Sequence, residues 1–152
     1  MLDTSFGFLI WKSIVAGIIA TTSMELLFRM CSKSGIVNID MVRAIGSLIT
    51  KSIDSSYKVG VIVHYISGIF FAFVYTLVFT VFNVTGILNN IGVGLLIGFI
   101  HGIVVSFILV ITVAEHHPLE EFRSAGFSVA IAHWIGHLVY GLVVGLIIGL
   151  MN

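Results

Sequence analysis

Along the chain, apolar positions gather into four long runs, Phe6 to Phe28, Val59 to Phe82, Ile91 to Ala114 and Gly126 to Met151, separated by shorter polar stretches. Each run exceeds the roughly 20 residues a helix needs to cross a hydrocarbon core, so each predicts a membrane-spanning helix. Polar residues inside the runs keep to one side. Ser13, Gly17, Thr21 and Glu25 recur every fourth residue, which places them on one helical face. His64 shares a face with Gly68, Ala72 and Tyr75; His101 lies one turn beyond Gly98; His133, His137, Tyr140, Gly141 and Val144 share a face of the last run. Every ionisable group in these segments therefore sits with small residues, on the side expected to meet neighbouring helices.

Glycine spacing sharpens that expectation. Gly94, Gly98 and Gly102 form one ridge, and Gly141, Gly145 and Gly149 another. In lipid, helices associate largely through close backbone approach over small residues, so both ridges predict helix contacts, with each other or with a second chain. Between the first two runs, "NIDMVRAIGSLITKSIDSS" places Ile39, Val42, Ile45, Ile49 and Ile53 at helical spacing, with Arg43, Lys51 and Asp54 off the stripe. This predicts either an amphipathic helix lying on the membrane surface or a cap over the helix ends. No Pro/Gly/Ser linker divides the 152 residues, so the expectation is a single domain, 1–152.

Composition agrees: 59% of residues are hydrophobic and 9% charged, more apolar surface than a soluble globule of this size can hide. The net charge of zero leaves no basic patch for nucleic acid. One cysteine, Cys31, cannot form an intrachain disulfide. The first run opens with Asp3, contains Lys12 and ends in "MELLFRM" without a cleavage-site pattern, so it is read as a retained span and not a signal peptide. Arg29, Lys33, Arg43, Lys51 and Lys58 lie at or between the first two runs and Arg123 between the last two, whereas "NVTGILNN" and the C-terminus carry none. The positive-inside rule then puts those two loops in the cytoplasm and both termini outside.

Imidazoles and carboxylates in hydrocarbon need partners, because an unpaired polar group there costs several kcal/mol. Counting inward from the cytoplasmic ends, Glu25, His64 and His133 form an inner layer near Glu115, His116 and His117, while His101 and His137 lie near the midplane. Such a set is the chemistry of zinc, copper or iron ligation, with His133 and His137 sharing a helical face, and the pair His101 and His137 is what a b-type haem would require. The alternative for each histidine is structural hydrogen bonding between helices. Glu25 and Arg29, four apart near a helix end, read as a local ion pair and not a ligand set. No GxSxG, P-loop or CxxC signature is present, which argues against an enzyme. Beyond His101 and His137 the outer halves of the last three spans are almost purely aliphatic and aromatic, apart from scattered Ser and Thr hydroxyls, which argues against a through-channel.

The segments "VHYISGIFFAFVYTLVF", "GVGLLIGFIHGIVVSFILV" and "HLVYGLVVGLIIG" resemble a family of small four-span prokaryotic membrane proteins known as a domain of unknown function. The resemblance covers most of the chain and rests on His64, Gly68, His137, Tyr140, Gly141 and Gly145; His101, His116, His117 and His133 fall outside it. It implies the four-span fold in a prokaryotic cell membrane and no particular activity.

The expected protein is thus an all-α integral membrane bundle of four spanning helices with an interfacial amphipathic helix between spans one and two. The leading functional expectation is a small accessory subunit of a larger membrane complex, such as a respiratory or metal-dependent oxidoreductase, with lipid and other membrane subunits or further copies of itself as partners. The alternative is a stand-alone metal- or haem-binding membrane protein.

Overall fold

The computed structural model describes residues 6–123 and 126–152; Asp3 lies outside them. Among the described residues the ordered elements are all helices: α1 (Phe6–Lys33), α2 (Met41–Thr50), α3 (Ser56–Val81), α4 (Ile87–Ile103), a π-helical stretch Val104–Leu109 that runs on into α5 (Val110–His116), α6 (Glu120–Arg123) and α7 (Phe127–Met151). Four are long and apolar enough to cross a membrane: α1, α3, α4 continued to Ile108, and α7. The 28 residues of α1 make it about 42 Å long, well over the roughly 30 Å of a hydrocarbon core.

Local chemistry explains the boundaries. Asp40 caps α2 by accepting from the Arg43 N–H at 3.1 Å. Lys51, in the left-handed conformation at φ 53°, ends it with its N–H on the Ser47 carbonyl. The turn after α3 uses Asn83 (φ 48°) and Gly86 (φ 82°), residue types that accept positive φ. The next helix begins at Ile87, four residues before the expected Ile91. Asn90 is the reason: its side chain donates to the Gly86 carbonyl (2.9 Å) and the Val84 carbonyl (3.3 Å), joining the turn to the helix.

Helix α2 lies against the start of α3 at backbone contact. A Cβ on Gly46 would come within 1.9 Å of the Ser56 carbonyl oxygen, and one on Gly60 within 1.8 Å of that of Val42. Of the apolar stripe expected here, Ile39 and Val42 are buried but Ile49 is 61% exposed, so the glycine contact decides which side of α2 faces inward.

The two glycine ridges meet each other. A Cβ on Gly94 would stand 2.3 Å from the Gly141 carbonyl oxygen, one on Gly141 2.2 Å from that of Gly94, and one on Gly145 2.3 Å from that of Asn90. These contacts make α4 and α7 the most extensively packed pair. Helix α1 packs on both α3 and α7: Gly17 sits over the Ile69 backbone, and Gly136 takes the Phe28 ring. The neighbour order is therefore α3, α1, α7, α4, with α3 and α4 touching only sparsely. Ile62, Ile66 and Phe70 are exposed down the outer side of α3, opposite buried His64, Ala72 and Tyr75. At the end bearing the C-terminus, buried Lys12 donates from Nζ to Asn152 Oδ1 and lies 4.4 Å from the Phe8 ring centre.

Candidate functional site

The sparse contact between α3 and α4 leaves a cavity of about 960 Å³. All four spans contribute to its wall: Thr21 and Met24 from α1, His64, Ser67 and Phe71 from α3, His101 from α4 with Val105 and Val110 beyond it, and His133, His137 and Tyr140 from α7. Towards the α2 end it is bounded by the 35–40 segment, by Met41, Ala44, Ile45 and Leu48 of α2, and by Glu121 and Phe122 of α6. At the opposite end buried Tyr75, Phe79, Val144 and Ile148 lie in one core cluster with Tyr140, and the α4–α7 glycine contact leaves no passage between those helices.

The deep end is built from aromatic and imidazole rings. His101 joins α3 to α4 through a 3.0 Å hydrogen bond between its Nδ1 and the Tyr75 hydroxyl, and its ring lies 4.1 Å from that of Phe71. His137 is alongside, ring centre to ring centre 4.6 Å. Tyr140 donates to the Gly68 carbonyl at 2.5 Å, tying α7 to α3, and meets Tyr75 edge-on at 5.7 Å. The π-helical stretch from Val104 to Leu109 follows His101 closely, and its Val105 lines the cavity; an inserted residue in a helix commonly marks a site where the wall has been reshaped.

Several buried polar atoms of the residues around this cavity make no hydrogen bond: Thr21 Oγ1, which Gly68 covers, His101 Nε2 and both ring nitrogens of His137. These atoms are closed off by neighbouring protein and do not face the open space of the cavity. His133 differs, since its Nδ1 donates to the Val129 carbonyl at 2.7 Å within its own helix, and its ring rests on Phe28 at 4.8 Å.

The inner layer expected of Glu25, His64, His133, Glu115, His116 and His117 does not come together at one point: among the described residues no group of three or more His, Cys, Asp or Glu side chains is placed to hold a metal ion. The expected deep pair stands together, His101 beside His137, and His64 Nε2 faces Glu25 Oε1 at 3.3 Å. The expected Glu25–Arg29 pair gives way to that contact, and Arg29 donates to the Tyr57 hydroxyl at 3.2 Å. The rings of His101 and His137, the pair expected for a haem, lie in contact at 4.6 Å between centres. Glu115, His116 and His117 do not line the cavity. Glu115 and His116 are exposed. His117 is fully buried in a structural role: its Nδ1 accepts from the Leu119 N–H (3.0 Å), leaving Nε2 to donate to the Ala44 carbonyl (3.0 Å). It thereby fastens α2 to the connection between α5 and α6.

Residues the sequence reading passed over include Ser67, Phe71, Asp40, Glu121 and Phe122, all in the cavity wall. Ser67 adjoins Gly68 on the small-residue side and was detectable there. The loop residues carried no signal, because their position depends on how the helix ends are closed. No family model, no curated protein and no solved structure matches this chain. The site stands on its own geometry.

Proposed function

We propose that this chain is an integral membrane four-helix bundle that binds a small molecule in its intramembrane cavity, with α2 at the cytoplasmic membrane surface beside the cavity mouth. The observation that carries the reading is a space of about 960 Å³ between the four spans, lined by Ser67, His64, His101, His137 and Tyr140 amid apolar side chains. That volume is at the upper end of the range of about 300–1,000 Å³ usual for ligand pockets. The basic loops at the α2 end support a cytoplasmic orientation for the mouth.

The role of accessory subunit in a larger complex is the lesser reading, since packing against partner helices calls for no cavity. Metal ligation is also lesser, because the imidazoles stand as a stacked pair, a carboxylate pair and a self-satisfied His133. Native mass spectrometry of protein purified from its own membranes tests the proposal. The wild type is expected to carry a small molecule close to one per chain, and Ser67→Phe, which narrows the space of about 960 Å³, is expected to lose it while remaining folded. A wild type that carries nothing, or an adduct retained by Ser67→Phe, overturns the reading.

A further inference from the structure

Apart from the large cavity, a hollow of about 410 Å³ opens where the end of α1 meets the starts of α2 and α3, and we infer that it holds the phosphate of an anionic phospholipid. Its depth in the bilayer follows from helix length. At 28 residues and about 42 Å, α1 matches the roughly 40–45 Å of hydrocarbon core plus head groups, so its last turns, with Arg29 and Lys33, stand at head-group level. The walls are fixed by bonds of the fold. Ser32 accepts the Ile39 N–H (3.0 Å) and donates to the Ile39 carbonyl (3.2 Å), which holds the 38–41 segment to α1, and Asp40 caps α2. Arg29 donates through Nη2 to the Tyr57 hydroxyl at 3.2 Å and so reaches across the α1–α3 seam.

Charge selects the ligand. Arg29, Lys33 and Arg43 line the hollow, together with the carboxylates of Glu25 and Asp40. Both carboxylates are engaged: Asp40 accepts the Arg43 N–H and lies 3.7 Å from Arg43 Nε, and Glu25 turns to His64 at 3.3 Å. Arg29 instead bonds a neutral hydroxyl, and Lys33 makes no hydrogen bond or ion pair, so neither of these cations, one turn apart on α1, is held by a carboxylate. The dipole of α1 offsets about half an elementary charge of the two. A phosphodiester, with one negative charge over two free oxygens, answers most of the remainder, and Arg and Lys are the side chains that bind it. At head-group depth the bilayer itself is the concentrated source of phosphodiester. The tails also have a place: Leu26, 56% exposed, continues the Arg29 face of α1 one turn toward the membrane centre, and half-buried Val61 does the same after Tyr57 on α3. Phosphatidylcholine would bring a quaternary ammonium beside these cations, so a head group with an uncharged alcohol, as in phosphatidylglycerol, is preferred.

The test is equilibrium binding of tail-labelled phosphatidylglycerol and phosphatidylcholine to the full chain in a neutral detergent. Phosphatidylglycerol is expected to bind about tenfold more tightly, since each Lys or Arg near an anionic head group counts for about fivefold. Arg29→Gln combined with Lys33→Gln should bring the two lipids to within about twofold of each other. Both side chains are exposed, so the double variant should fold as the wild type does. Lys51→Gln combined with Lys58→Gln removes the same charge from the α2–α3 connection, outside the hollow, and should leave the preference unchanged. Equal losses in the two double variants would mean diffuse attraction to a basic surface and overturn the inference, as would equal binding of the two lipids by the wild type. Sodium phosphate should displace no more lipid than sodium chloride of the same ionic strength; selective displacement by phosphate would assign the hollow to the free ion and overturn the lipid assignment.

Discussion

His133 and His137 occupy the same face of α7 one turn apart, yet the first donates to the Val129 carbonyl and the second has no partner for either ring nitrogen. The difference lies in what each meets: His133 rests on Phe28 of α1, whereas His137 packs against the His101 ring. The facing of these side chains was legible in the sequence, since a 3.6-residue period fixes which way each points. Their partners were not, because hydrogen bonding depends on the azimuth and depth of the opposite helix. Two variants test the residue scale. Thr21→Val removes a buried hydroxyl without a partner, so the ligand-free protein should melt no lower than wild type and gain up to about 1 kcal/mol; a lower melting point would contradict the unpaired assignment. Tyr140→Phe removes the bond from α7 to the Gly68 carbonyl and should cost about 1 kcal/mol in SDS-titration unfolding.

At the scale of elements, glycine sets the distances. The α4–α7 contact was half-legible: both ridges stood out in the sequence, but whether they meet each other or another chain is decided by the loops and the remaining helices. Gly141→Ala puts a Cβ 2.2 Å from a backbone oxygen that cannot swing away, and should destabilise by about 1–3 kcal/mol. Gly92→Ala, on the same helix as Gly94 but with nothing within 4 Å, should stay within about 0.5 kcal/mol of wild type in the same unfolding assay. Equal effects at the two positions would refute the close approach. Helix α2 obeys the same rule, and its apolar stripe misled at Ile49 because Gly46 and Gly60 dictate the contact. Gly46→Ala should lift α2 from α3, read as faster proteolysis between residues 34 and 55.

For the whole molecule, the neighbour order α3, α1, α7, α4 leaves its two outer members poorly joined, and the cavity is the consequence. His117 closes the α2 end by bonding the Ala44 carbonyl, so residues expected to be ligands serve to hold the mouth together. Orientation is testable in a Cys31→Ser background with a membrane-impermeant maleimide. Thr85→Cys should label in intact cells, and Lys33→Cys only after permeabilisation; the reverse pattern would invert the topology proposed from the basic loops.

The four spans, their inward faces and the glycine ridges follow from the sequence alone, because helix length, period and hydropathy are local properties of a chain in lipid. Tertiary structure alone decided that Glu25 turns to His64, that His133 bonds within its own helix, that His117 ties down α2, and that an open space lies between α3 and α4. Those outcomes depend on distances across helices far apart in sequence, where a shift of a few ångströms separates a ligand set from a stacked pair of rings.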